Sequence, residues 1–240
     1  MNQLETWPCH SNNYWLHMAA EDLRTLAWLH AGERSPEVLA DLYGNGFPKA
    51  LTLLAPNDPW LCAMEAALRA LATASSDDDG EELVAASNED ELAADFAAIY
   101  LTFQYRISPH ESVWRDEDHL MLQAPTFAVR AFYHRHGLRV ANWRQRADDH
   151  LATELEFVAM LLERGKLQEA ANFLDAHLLV WLPSFAARVS QRAATPFYAS
   201  LAGITLTACE NCATRLPQPI AIAAPPAQKA SSACSGVRIA

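Results

Sequence analysis

The sequence predicts an all-α protein, a single helical-bundle domain of roughly ten helices. Three observations lead there. Apolar residues recur at three- and four-residue spacing through most of the chain, and β-branched runs are absent. Only 8 of 240 residues are glycine, while Ala and Leu are plentiful. Cap-and-proline signals stand where helices would begin. A composition of 51% hydrophobic and 20% charged residues is that of a globular chain able to bury one good core.

Residues 12–32 carry Tyr14, Trp15, Met18, Leu23, Leu26 and Leu29 at helical spacing and end at Gly32. Residues 1–11 precede the bundle as an extension. Ser35-Pro36-Glu37 opens a second helix, closed by Gly44-Asn45-Gly46, and Asn57-Asp58-Pro59 opens a third through Trp60, Leu61, Met64, Leu68 and Leu71. Ser75–Asn88 is acidic and turn-rich, and no basic residue occurs between Arg69 and Arg106. It reads as a solvated connection or as an acidic lip for a basic partner. From Glu89 a helix through Leu92, Phe96, Ile99, Tyr100 and Phe103 is expected to stop around Tyr105–Arg106.

Ile107 to Trp114 contains Pro109, which biases Ser108 away from the α-region, so an irregular loop fit for binding is expected there. Asp118–His136 reads as helical, with Pro125 placing a break or the true start near Gln123–Ala124. In Asp148–Leu162 the residues Leu151, Leu155, Val158 and Leu162 form an apolar stripe. Asp148 is the expected N-cap, and Asp149 the acid of the first turn, favoured by the helix dipole. His150 and Glu154, four apart, share a face beside the stripe. The start of this helix is where function is expected. Gly165 closes it, Leu167–Trp181 follows, Pro183 marks a kink or a new start, and Thr195-Pro196 opens the last helix through Cys209. Residues 12–214 make the domain; 215–240, rich in Pro, Ala and Ser, read as a disordered tail.

A formal net charge of −11 argues against nucleic acid as a partner. The first residues lack a basic and then apolar pattern, and no apolar run approaches the roughly 20 residues of a membrane span. Five cysteines do not read as a disulfide framework, and the expected compartment is the cytoplasm. Carboxylate-bridged di-metal bundles use Glu-x-x-His pairs, and no Glu here has a His three residues on. Phosphate-binding glycine loops and the G-x-S-x-G elbow are missing too. Cys209-Glu210-Asn211-Cys212 has CxxC spacing at a helix end; half of a zinc site, a dimer disulfide, a metal or redox role with His150 and no role are all open, and a single pair favours no role. No catalytic set emerges, which favours a binding protein over an enzyme.

Three segments, in order, resemble the TorD/DmsD family of chaperones that mature molybdenum-containing reductases. They are Asp95-Phe96 through Tyr100 and Phe103 to Pro109-His110-Glu111-Ser112-Val113-Trp114; Tyr133, Gly137-Leu138 and Asp149-His150-Leu151 through Glu154-Leu155 to Phe157; and His177-Leu178, Trp181-Leu182-Pro183, Phe185 and Phe197-Tyr198. The resemblance spans roughly residues 12–210. Arg146-Ala147 stand where the family often has Glu-Pro. It implies a cytoplasmic chaperone with no resident cofactor and no metal. Its partners would be an apo-molybdoenzyme catalytic subunit and that subunit's twin-arginine signal peptide, held until the cofactor is inserted. Chaperones of nitrate-reductase catalytic subunits are the near alternative. The resemblance also implies a monomer or a domain-swapped dimer. For peptide binding it points to Asp149 and Glu111 for charge, His150, Ser112 and Glu154 for hydrogen bonds, and Tyr100, Phe103, Pro109 and Trp114 for an apolar wall.

Overall fold

The computed structural model describes residues 10–74, 82–103, 106–141, 143–144 and 146–220. Among them there is no β-strand, and ten α-helices enclose one core, as the spacing predicts. The first nine residues of the chain, residues 75–81 of the acidic connection and the region after Ile220, including Cys9 and Cys234, lie outside the described residues. The expected disordered tail therefore falls mostly outside them. Its first residues are described, and Leu216 is buried.

Helix α1 (His10–Ala31) packs along α7 (Leu151–Glu163), and this pair forms the spine of the bundle. Leu23 and Leu26 on one side and Leu151, Leu155, Val158 and Leu162 on the other are wholly buried. Each such side chain contributes about 1.5–3 kcal/mol of transfer free energy. α2 (Pro36–Gly44) starts on its proline after an extended Ser35. α3 (Pro59–Ala74) is capped by Asp58, whose Oδ1 accepts from the N–H groups of Trp60 and Leu61 at 2.9 and 3.1 Å. α3 and α10 (Pro196–Thr214) pack together where Gly203 faces Trp60.

α4 (Glu82–Phe96) runs into a π-helical turn, Ala97–Leu101, and ends there, four residues before the expected stop at Tyr105. Phe103 and Arg106 then take left-handed backbone angles, φ 55° and 54°. α5 is short (Glu111–Arg115) and α6 spans Ala124–Arg135 with Pro125 in its first turn. The helix expected from Asp118 thus begins only at Ala124. Between the two, Asp116 Oδ2 accepts from the N–H groups of Asp118 and Leu120, holding a non-helical turn that leaves Leu120, Met121 and Leu122 exposed.

α8 (Leu167–Phe173) passes through a second π-helical turn (Leu174–Leu178) into α9 (Leu179–Arg192). Pro183 does not start a new helix; it sits inside α9, at the expense of the bond its missing N–H would make to Leu179. Asp95 of α4 accepts from the N–H groups of Ala194 and Thr195 and from the Thr195 hydroxyl, tying α4 to the start of α10. Asp22 does the same for α1, accepting from Thr52 and Leu53.

Candidate functional site

The segment Ala147–Leu151 is organised differently from the expectation of an Asp148 N-cap. The cap is His150, extended (φ −79°, ψ 136°), whose Nδ1 accepts from Ala152 N–H at 3.1 Å. Asp148 and Asp149 precede the helix because stronger partners take their carboxylates. Asp148 accepts two bonds from Arg130 of α6, at 2.7 and 3.1 Å, and its carbonyl accepts from the Tyr133 hydroxyl. Asp149 Oδ2 accepts from Ser112 N–H at 2.9 Å, so it caps α5 across the chain. The backbone completes the join: Glu111 N–H donates to Asp149 O at 3.0 Å, and Leu151 N–H to Pro109 O at 2.7 Å. His110 and His150 form an isolated antiparallel bridge, with rings 5.0 Å apart and edge to face.

The loop of Pro109 to Trp114 and the start of α7 are therefore one structure. Its carboxylates, however, face inward. Glu111, Asp149 and Glu154 are fully buried. Glu111 pairs with Arg115 and also meets His177 Nδ1 at 3.0 Å. Glu154 Oε2 accepts from the Trp181 indole N–H at 3.4 Å, while its Oε1 has no partner. Burial, then the negative neighbours Glu111 and Asp149, push the Glu154 carboxyl well above the usual carboxylate range. Asp149 Oδ1 and Ser112 Oγ are likewise buried without a partner.

In front of this buttress lies an open cleft of about 700 Å³, a size suited to a small molecule or part of a peptide. Phe96, Leu138, Val140, Phe157 and Met160 supply its apolar lining, and His30, Tyr100, His110, Arg139, Arg146 and His150 its polar groups. Of the residues expected to bind, Tyr100 and His150 line it. Pro109, Glu111, Ser112, Asp149 and Glu154 stand outside its lining, in the structure that carries His150 or beside it. Trp114 packs edge-on against Phe185 and donates to Ser108 O, and Phe103 is exposed beyond the end of α4; neither reaches the cleft.

Tyr100 and His150 have fixed polarities. Thr205 Oγ donates to Leu201 O at 2.8 Å, so it accepts from His30 Nε2–H at 2.8 Å. His30 Nδ1 is then bare and accepts the Tyr100 hydroxyl proton at 2.6 Å. Burial alone lowers the His30 pKa to about 3, which keeps this ring neutral. Tyr100 can therefore offer its ligand only an acceptor. His150, neutral because of burial and the nearby charges of His110 and Arg146, has its Nδ1 engaged and offers only an Nε2–H donor.

His30 and Arg139 have no part in the sequence reading, and His110 and Arg146 enter it only within or beside the resembling segments, without a binding role. His30 sits at the end of an apolar helix and carries no local signal. The arginines do carry one: no Asp or Glu occurs between Asp118 and Asp148. Cys209 and Cys212 lie buried in α10, and burial raises both thiols, Cys212 to about 12, so neither offers a ready thiolate to a metal or an oxidant. Among the described residues a His17, Glu21 and Glu163 group is close enough to share an ion, but Arg24 already bridges Glu21 and Glu163. No described helix is long and apolar enough to cross a membrane.

Comparison with known proteins agrees with the resemblance. Residues 57–187 match the family described as nitrate reductase delta subunit. The chaperone protein TorD of Vibrio cholerae (strain O395) is 34% identical over 128 residues, 48% of this chain and 58% of the relative. The Tat proofreading chaperone DmsD of Salmonella typhi is 27% identical over 114 residues, 48% and 56%. TorD of Vibrio atlanticus is 25% identical over 197 residues, 77% and 88%. The chain thus spans under two thirds of the length of most of these curated relatives. With more than half of its residues inside the match, the chain belongs to the nitrate reductase delta subunit family, in the TorD/DmsD group whose curated members are named as chaperones.

Proposed function

We propose that this protein is a cytoplasmic chaperone for a molybdopterin-containing oxidoreductase. It binds the apo form of the catalytic subunit and its twin-arginine signal peptide, aids insertion of the cofactor, and delays export until insertion is complete. The observation that carries this reading is the open cleft in front of α7. It has an apolar wall and, at Tyr100 and His150, an acceptor and a donor of fixed polarity, which is the equipment of a binder. The apolar wall suits the hydrophobic part of a signal peptide, and Tyr100 and His150 supply an acceptor and a donor for its backbone. Asp149, Glu111, Ser112 and Glu154 act from behind the cleft, by fixing the loop that holds His110 and His150. Exposed Phe103 and the turn at Leu120–Leu122 offer further apolar contact for the body of the client.

The test is binding of a twin-arginine peptide to the wild type and to Asp149→Ala, Glu111→Ala and Tyr100→Ala. Loss of about tenfold or more in affinity is expected when a buried polar support is removed. Unchanged affinity in all three overturns the assignment. The family's description favours a second reading, an assembly chaperone of a nitrate-reductase catalytic subunit. Co-purification from the native host, with the client identified by mass spectrometry and its signal peptide deleted, separates the two. Capture abolished by the deletion supports the first; capture that survives it, with no affinity for the free signal peptide, supports the second.

A further inference from the structure

The chain carries a formal net charge of −11, yet the span between Asp118 and Asp148 holds Arg130, Arg135, Arg139, Arg144 and Arg146 and no carboxylate. Among the described residues only Arg130 of these has a carboxylate partner, Asp148 at 2.7 Å. Arg135 and Arg144 lie over the rings of Phe132 and Trp143, at 4.0 and 4.8 Å. Arg146 donates to the Ala31 carbonyl at 3.1 Å, which orients the side chain and leaves its charge uncompensated. Arg139 and Arg146 line the cleft in front of α7, where Glu156 is the one carboxylate. Arg139 also lines an adjoining groove of about 510 Å³ with Arg130, His134, Trp143 and Asp148, whose carboxylate is taken by Arg130. Positive charge is thus concentrated on both sides of residues 139–141.

His150 supplies an independent observation. Its ring is nine-tenths buried, and its Nδ1 accepts from Ala152 N–H. In the neutral ring the proton is on Nε2, and no protein group among the described residues accepts it. The Nε2–H is not sealed from water, and an acceptor for it has room in the cleft that His150 lines. We propose that the mouth of this cleft is a site for an anion-bearing ligand, a carboxylate or phosphate held by Arg139, Arg146 and the Nε2–H of His150. Deeper in, Tyr100 can only accept, so the ligand carries an N–H or O–H beyond its anion. The remaining lining is aromatic and aliphatic and encloses an apolar body.

This goes beyond the chaperone reading and stands without it. A carboxylate reaches the site on an acidic peptide segment, a phosphate on a small molecule, and two probes separate the sources. Inorganic pyrophosphate and a short end-capped Asp/Glu peptide are titrated into the full chain at low salt by calorimetry. At least one of them binds, and the tighter names the source. Arg139→Gln, which breaks no described hydrogen bond, weakens that binding by about tenfold, and Arg146→Gln by at least as much. Arg135→Gln, outside the cleft, leaves it unchanged. If neither probe binds, or if Arg139→Gln binds as tightly as the wild type, the site is overturned. Titration of the twin-arginine peptide into Arg139→Gln keeps the two proposals apart. Its affinity is unchanged or higher in that variant, and loss of client capture with intact anion binding sinks only the chaperone reading.

Discussion

Glu154 lies wholly out of water in α7, one oxygen on the Trp181 indole and the other without a partner. With Glu111 and Asp149 as neighbours it holds its proton far above the usual 4.5. The native state therefore binds a proton that the unfolded chain releases near pH 4.5, so stability is full below that value and declines as pH rises toward the folded pKa. Glu154→Gln keeps the acceptor for Trp181 and the shape, and removes the titration. Thermal unfolding should show the variant more stable than the wild type at pH 8, by about 1–2 kcal/mol, and nearly equal to it at pH 5. From sequence, Glu154 is visible as a helix-face partner of His150, since four-residue spacing is local. Its ionisation state is not visible, because that depends on Glu111 and Trp181, which are 43 and 27 residues away in the chain. The same holds for His30, whose polarity is set by Thr205 of α10. Asp148 misled for a related reason. Its residue type suits an N-cap, but Arg130 of another helix binds its carboxylate more strongly than a backbone N–H would.

Helices whose starts are written in proline were placed closely. Ser35-Pro36, Asp58-Pro59 and Thr195-Pro196 each begin where the local chemistry says. The π-helical turns at Ala97–Leu101 and Leu174–Leu178 were not foreseen, since a single inserted residue leaves the apolar periodicity almost intact. Nor was the turn at Asp116–Gln123, where a side-chain cap overrides a helical pattern. The contact of α3 with α10 was equally silent in sequence, and Gly203 is its point of closest approach to Trp60. A Cβ on Gly203 would lie 2.2 Å from the Trp60 ring, closer than any real contact. Gly203→Ala should displace that ring and lower stability by about 1–3 kcal/mol, read as a shift of the denaturation midpoint. Because Trp60 is only half buried, its fluorescence maximum should move to longer wavelength in the variant.

Across the whole molecule, charge is sorted by sequence. The stretch from Ala70 to Tyr105 has no basic residue, and that from His119 to Ala147 no acidic one. Both border the cleft, the first through Phe96, Tyr100 and Leu101, the second through Leu138 to Arg146. A partner carrying separated charges of its own meets a field that turns it before any atoms touch. Such a field acts on encounter more than on the finished complex. Stopped-flow association with a client peptide should therefore slow by about tenfold between 50 mM and 500 mM salt, while dissociation changes little. A protein arranged in this way selects the orientation of arrival, and a partner approaching backwards is turned away at a distance of about one Debye length, before the cleft has made a single contact.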